Sequence, residues 1–355
     1  MRNITDADAN FKVITTIDKP DIRFYDVQDA PFSLYGLLYE GGQFRRMPES
    51  VAEQVNPGVH SILHTHTAGG RVRFKTDSPY IAIHAEMPSM AHMPHFPYTG
   101  SVGFDLYVRE NGKDRYVKTF IPPMEECPTL DSIIELDSSV CGDGMREFTV
   151  HFPLYSDVSK LYIGLNEQAT VSEATPYRIQ KPIVYYGSSI TQGGCASRPG
   201  NAYTNILSRR LSADHINLGF SGSAKGEDAI TEYVASLDMS LFVLDYDYNA
   251  PTPEDLKNTH ERLFKGVRKQ HPTLPIVMLS RPKCFLTDEE RERVEIVRAT
   301  YENALENGDK NVYFIEGSAL MSLTDGEGSV DNTHPNDLGF YSMAKVLGDL
   351  LETLL

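Results

Sequence analysis

The chain has 355 residues, 41% hydrophobic and 23% charged, enough material for a packed core and too little bias for disorder. Its formal net charge of -16 repels nucleic acid and anionic membrane surfaces and disfavours a polyphosphate substrate. Cys127, Cys141, Cys195 and Cys284 lack C-x-x-C or zinc-finger spacing and read as free thiols. The opening MRNITDADAN has no basic flank or apolar stretch, and nowhere do about 18 apolar residues run together, so a cytoplasmic location is expected.

The length favours two domains, read here as 1-172 and 173-355 with the boundary on the proline and polar stretch between Leu165 and Lys181. The first shows short alternating runs between turn residues, as in an antiparallel sheet protein. "RVRFKTDSPYIAIHAEM" predicts two strands broken at Asp77-Ser78-Pro79. "GFDLYVRENGKDRYVKTF" predicts a hairpin, because Asn111-Gly112 can adopt the positive φ angles of a type I′ turn. "EFTVHFPLY" and "SKLYIGLN" supply further strands, and helical periodicity is almost absent, which predicts a β-sandwich.

After "ATPYRIQKP" the texture changes. "IVYYG", "HINLGF", "LFVLDYD", "PIVMLS" and "VYFIEG" are apolar runs separated by helical periodicity, the βαβ pattern of a parallel sheet. One helix opens at Thr252-Pro253 and turns Leu256, Leu263, Phe264 and Val267 inward. Another opens with Thr287 and Glu290 in capping-box register and repeats at Val294, Val297, Tyr301 and Leu305, with Glu289 to Arg293 read as a solvated face. The last, from Asp337, is expected to bury Leu338, Tyr341, Leu347 and Leu350 or Leu351.

In an open parallel sheet ligands bind beyond the carboxyl ends of the strands. There the chain has Gly187-Ser188-Ser189, then Gly219 to Gly222, then Asp245 to Asn249, and late in the sequence "DNTHPND". A serine hydroxyl is a poor nucleophile by itself and needs an imidazole base, a group orienting that base, and donors for the oxyanion. Asp331 and His334 are spaced so that one turn or tight loop presents carboxylate and imidazole together. Asn249 can donate its amide to an alkoxide, and glycine at 222 lets a backbone N–H approach where a side chain would block it.

"GSSIT", "NLGFSG", "YN" and "DNTH", in that order, resemble the four blocks of the GDSL or SGNH hydrolases, and "GFDLY" at Gly103 to Tyr107 resembles the GxDLY signature of a β domain attached to one branch of them. The resemblance implies a flavodoxin-like α/β three-layer sandwich that hydrolyses carboxylic esters with no metal and no cofactor. By position it implies Ser189 as nucleophile, His334 as base and Asp331 as orienting acid. Ser189 (through its amide), Gly222 and Asn249 take the oxyanion hole. Ser188 stands where the family usually has aspartate, and Asp247 and Ala250 depart from its pattern beside Tyr248-Asn249.

Other readings compete. Gly187-Ser188-Ser189 could be a βα turn with serine as helix cap. The spacing Gly219, Gly222, Gly226 is not a dinucleotide fingerprint despite Asp245, and Thr191 stands where a nucleophile elbow needs glycine. His64 and His66 read as one strand face, with His92 and His95 in "MAHMPHFPY"; no carboxylate or cysteine completes a metal set in the sequence, so exposed or hydrogen-bonded histidines are expected, with a histidine-rich loop leaning over the cleft as the alternative. Arg198 fits either the cleft or the surface. The reading that results is a serine esterase releasing short acyl groups, with acetylated, imported oligosaccharides favoured through the resemblance. Alternatives are an acyltransferase, a lipase on small lipid-like esters, and a non-catalytic carbohydrate-binding protein. A homo-oligomer is compatible with the sequence, which does not choose the acyl chain or the sugar.

Overall fold

The alternating segments of the first part form twelve strands in the computed structural model, which describes residues 13–125 and 127–355. The opening decapeptide, read above for a leader, lies outside those residues. The strands are β1 (Ile22–Asp26), β2 (Ser33–Tyr35), β3 (Leu38–Glu40), β4 (Gln43–Arg45), β5 (Arg71–Thr76), β6 (Tyr80–Glu86), β7 (Phe104–Glu110), β8 (Lys113–Phe120), β9 (Thr129–Glu135), β10 (Arg146–His151), β11 (Lys160–Asn166) and β12 (Val171–Ser172). Short helices that the sequence did not announce interrupt them: α1 (Glu49–Val55), α2 (Tyr98–Ser101) and α3 (Ser138–Cys141).

Two antiparallel sheets result, one in the order β1-β11-β6-β9 and one in the order β12-β5-β10-β7-β8 with β2 beside β5; β3 and β4 make a separate ribbon. Alternate residues meet between the sheets, Ile81, Ile83 and Ala85 of β6 against a shared core with Val72, Phe74, Phe104, Leu106 and Phe148. Asn111 and Gly112 take φ of 49° and 76° and join β7 to β8, as the hairpin reading required. The break at Asp77-Ser78-Pro79 is a crossing, since β5 and β6 belong to opposite sheets.

The second part supplies β13 (Ile179–Gly187), α4 (Ser189–Gln192), α5 (Tyr203–Leu211), β14 (Ala213–Gly219), α6 (Asp228–Ser236), β15 (Leu241–Asp245), α7 (Pro253–Gln270), β16 (Ile276–Leu279), α8 (Asp288–Glu306), β17 (Val312–Ile315), α9 (Gly317–Leu320) and α10 (Asp337–Leu354). The five parallel strands lie in the order β14-β13-β15-β16-β17, that is 2-1-3-4-5, the doubly wound flavodoxin-like arrangement. β13 shows why both faces are covered. Ile183 and Tyr185 pack with α5 and α10, while Val184 and Tyr186 pack with α6, α7 and α8. The chain order reverses at β13, and Ser189 follows its carboxyl end.

Both long-helix caps form as capping boxes, Thr252 with Asp255 and Thr287 with Glu290. Two inward faces differ from expectation. In α10, Phe340, Met343, Ala344, Leu347 and Leu351 are buried while Leu338 and Tyr341 are exposed, because the stripe starts from Phe340 and leaves Leu338 on the opposite side. In α8, Leu305 is exposed because Ala304, not Leu305, continues the buried stripe into the final turn. Phe96, Leu154 and Tyr155 of the sandwich join the core of the α5 and α10 layer, so the two parts share buried apolar surface near Ser189. The four cysteines are free thiols. Among the described residues no helix is long and apolar enough to cross a membrane.

Candidate active site

β13 delivers its last buried residue, Gly187, to the sheet edge, and α4 begins two residues later. Ser188 is the N-cap, its hydroxyl accepting from the Ile190 amide at 3.2 Å, so the residue at the position expected of aspartate performs a cap that either side chain can make. The bland reading of "GSSIT" as a helix cap therefore fits Ser188, and Ser189 is left for another role. Its hydroxyl lies 2.9 Å from Nε2 of His334, and Nδ1 of that ring lies 2.8 Å from Asp331.

The Asp331-His334 pair is set by a tight loop, not a helical turn. Asn332 takes a left-handed φ of 63°, and one Asp331 oxygen accepts from the amides of Thr333 at 3.0 Å and His334 at 2.8 Å. Burial pushes the Asp331 carboxyl up, but those amide bonds, the ring contact and the His334 charge outweigh it and hold the group at about 2. The pair sits at the surface, with 21% of the His334 and 37% of the Asp331 side chain accessible. A cavity of about 710 Å³ between α7 and α8 contains none of these residues and opens beside Asn311, at the far edge of the sheet.

Gly222 and Asn249 come from the loops after β14 and β15. Gly222 takes a φ of +65°, which favours glycine, and a Cβ there would meet no protein atom within 4 Å, so its amide faces open space. Oδ1 of Asn249 accepts from the Ala224 amide at 3.4 Å, which ties the third block to the second and commits the oxygen end of the amide.

The loop carrying Asn249 rests on a buried ionic network that sequence reasoning missed. Arg281 donates from its amide and its Nε to Asp247 at 3.2 and 3.0 Å and from Nη1 to Glu290 at 3.0 Å. Arg293 reaches from α8 to the carbonyls of Asp247 and Ala250, both at 2.9 Å. Arg293 is therefore buried, and Glu289 to Arg293 is not simply a solvated face. The signal was present, since Arg293 falls four residues before Val297 on the inward stripe.

The sandwich contributes as well. Tyr155 donates its hydroxyl to the Ser189 carbonyl at 3.2 Å. Gln192, on α4, donates to Nδ1 of His66 at 3.1 Å and accepts from the Ser221 amide at 3.0 Å, and burial pushes the His66 imidazole down to about 3, which keeps it neutral. Arg46 donates to the carbonyls of Gly219 and Leu63, and Asn56 donates to Ser223 at 2.9 Å. His64 and His66 do not share a strand: a single π-type turn, Val59–Leu63, precedes them, and His64 bonds the Val59 carbonyl at 2.9 Å. His92 stacks on Tyr98 at 3.9 Å, and the His95 ring lies 5.5 Å from that of His334, so the histidine-rich loop does reach the site. Cys195 also converges there, its sulfur and one nitrogen each of His95 and His334 lying within 4.8 Å of one another, while both His334 nitrogens are already engaged by Ser189 and Asp331. Arg198 lies at the junction of the two parts, bonded to Asp105 at 3.1 Å.

A sequence model of the GDSL-like lipase/acylhydrolase family matches residues 180–352, and one for the N-terminus of SGNH-type esterases, GxDLY, matches residues 22–171. The crystal structure of a candidate GDSL-like lipase from Bacteroides ovatus is 31% identical, with a TM-score of 0.83 over 94% of this chain and 98% of that one. The chain belongs to the GDSL-like lipase/acylhydrolase family. As a member it is a carboxylic ester hydrolase. The fold alone is shared with a salicylyl-acyltransferase from a tetracycline biosynthetic pathway, 20% identical with a TM-score of 0.75 over 95% and 98% of the chains. It is shared too with an acetyl xylan esterase from the rumen bacterium Butyrivibrio proteoclasticus, 14% identical with a TM-score of 0.59 over 94% and 98%. A comparison with curated protein sequences finds no match.

Proposed function

We propose that this GDSL-like acylhydrolase removes short acyl groups, acetyl foremost, from a hydroxylated carbohydrate through Ser189, His334 and Asp331. The observation that carries the reading is the continuous contact from the Ser189 hydroxyl through both ring nitrogens of His334 to Asp331. Ser189 Oγ attacks the acyl carbon while Nε2 of His334 takes its proton. The tetrahedral alkoxide meets the Ser189 amide, the Gly222 amide and the Asn249 side chain, which donate to it. Collapse breaks the ester bond, and the departing alkoxide takes the proton back from His334. Water then gives a proton to the same nitrogen and adds to the acyl carbon; collapse of this second intermediate breaks the bond to Ser189, whose oxygen takes the proton back from His334 as the carboxylic acid leaves. Asp331, ionised throughout the working range of pH, keeps Nδ1 protonated and balances the imidazolium.

Three features support a neutral, sugar-like alcohol. The net charge of -16 disfavours anionic guests. His95 stands beside His334, and the same loop carries His92 stacked on Tyr98, so ring faces of the kind that pack on sugars line this segment. The fold also serves an enzyme described as an acetyl xylan esterase. Purified protein incubated with acetylated xylo-, manno- and pectic oligosaccharides should release acetate from at least one class; no release from any, with aryl acetate still cleaved, would remove the carbohydrate reading. Passing the acyl group to an added alcohol is the second reading, favoured by the fold shared with a salicylyl-acyltransferase. Product distribution with and without a sugar acceptor separates it from hydrolysis.

A further inference from the structure

Asp105, in the "GFDLY" stretch, is fully buried in the sandwich and accepts from Nδ1 of His151 at 2.8 Å, from Arg198 at 3.1 Å and from the Gly200 amide at 2.8 Å. Arg198 and Gly200 belong to the segment between α4 and α5, so one sandwich carboxylate grips the chain that leaves the Ser189 helix. Tyr107 reinforces the grip, bonding Arg198 and lying under the Arg209 guanidinium at 4.1 Å. A Cβ at Gly200 would strike the Tyr107 hydroxyl and the Asp105 carboxylate, which is why glycine stands there. Burial pushes Asp105 up, but His151 and the charges of Arg198 and Arg209 outweigh it and hold the carboxyl below its ordinary range.

From this anchor the restraint runs toward His334. Ser197, next to Arg198, donates its amide at 2.8 Å and also its hydroxyl to the Asp337 carboxylate. Thr99 of the sandwich donates to the Ser197 carbonyl at 2.6 Å. Asp337 is the first residue of α10, three after His334, and Asn336 between them caps that helix by accepting from Gly339 at 3.1 Å. The same segment begins against the imidazole, since a Cβ at Gly194 would lie 3.5 Å from Cδ2 of His334.

We propose that Asp105 is a positioning residue for the ester-cleaving site: by anchoring Arg198 and Gly200 it fixes Ser197 against Asp337 and so sets where the His334 imidazole stands relative to Ser189. This rests on His334 acting as the base for Ser189. The sandwich is then part of the reaction apparatus and not an appended module.

The test compares Asp105→Asn, Asp337→Asn and the double variant on a small aryl acetate, with folding followed by circular dichroism. Each single variant should lose about tenfold or more in kcat with KM held within about twofold, since misplacement of the base slows chemistry without altering a small ester's binding. The rate at which a fluorophosphonate labels Ser189 should fall by the same factor. The double variant should be no slower than the slower single one, because both cut one chain of restraint. A folded Asp105→Asn enzyme with wild-type kcat and labelling rate would overturn the proposal, as would losses that simply multiply in the double variant. Should Asp105→Asn not fold, Arg198→Ala takes its place, with the same loss expected and wild-type kcat again contradicting it. His334→Ala run in parallel separates the two ideas: turnover intact there removes the base assignment itself, whereas turnover lost there with Asp105→Asn unaffected removes only the positioning role.

Discussion

Arg293 donates its guanidinium to the main-chain carbonyl of Asp247, 2.9 Å away, and through a second bond of the same length to Ala250, so a helix on one face of the sheet holds both ends of the turn that presents Asn249. Arg293→Ala leaves both carbonyls unpaired in a buried setting, at a cost of about 1 to 3 kcal/mol each if no water replaces the guanidinium. The expected result is a lower denaturation midpoint together with a kcat about tenfold lower, as Asn249, the proposed oxyanion donor, loses its fixed position. Arg293→Lys should recover part of both, since the two bonds come from the one Nη1 nitrogen and an ammonium carries donors enough for two carbonyls. Wild-type kcat in Arg293→Ala would detach Asn249 from this support.

Asn249→Ala removes a proposed oxyanion donor directly. The expected loss is about 2.7 to 4 kcal/mol of transition-state stabilisation, roughly a hundredfold or more in kcat, with KM little changed. Steady-state kinetics on an aryl acetate measures it. A loss confined to KM would assign Asn249 to ground-state binding.

Asp245 gives a stability effect with a definite sign. The carboxyl is buried at the end of β15 and accepts from Thr191 at 2.7 Å and Tyr203 at 3.1 Å; burial drives it up to about 7 against the pull of those two bonds, with a further push from Asp247. Its folded pKa is above the unfolded value of about 3.9, so the folded state binds the extra proton between those values. Stability should therefore fall as pH rises from about 4 to about 7, and level off above, by an amount on the order of 4 kcal/mol. Urea denaturation at pH 5, 6 and 7.5 should show that slope in the wild type and a shallower one in Asp245→Asn. Equal slopes would mean that Asp245 ionises at an ordinary pH.

Legibility in the sequence followed the range of each interaction. The parallel strands were readable because short apolar runs such as Leu241 to Leu244 of β15 alternate with longer segments of helical periodicity, the pattern of strands buried on both faces. Ser189, His334 and Asp331 were readable because each sits just past a strand or before a helix, where local pattern fixes the position. Tyr155, Arg46 and Asp105 were not, since their partners lie 34, 173 and 93 residues away and no local pattern encodes a contact between two sheets. The α10 stripe failed for a different reason. Leu338 and Tyr341 share a helical register with each other, and only packing against Tyr203 and the sheet selects the Phe340 register instead.

That choice of register is open to test. Leu347→Ala should cost about 2 to 5 kcal/mol, the range for emptying a packed leucine site. Leu338→Ala should stay within about 0.5 kcal/mol, as expected for an exposed position. Chemical denaturation with an unchanged m-value would measure both, and comparable losses would show that α10 turns a different face to the sheet.

The central claim is a covalent acyl intermediate on Ser189, and rapid quenching of the enzyme with an activated acetate ester, followed by peptide mass mapping, tests it most directly. The account predicts one acetyl group on the peptide containing Ser189, accumulating in a burst and absent from Ser189→Ala, which should also lose turnover. An acetyl group on another residue, or a Ser189→Ala protein that turns over at the wild-type rate, would contradict it.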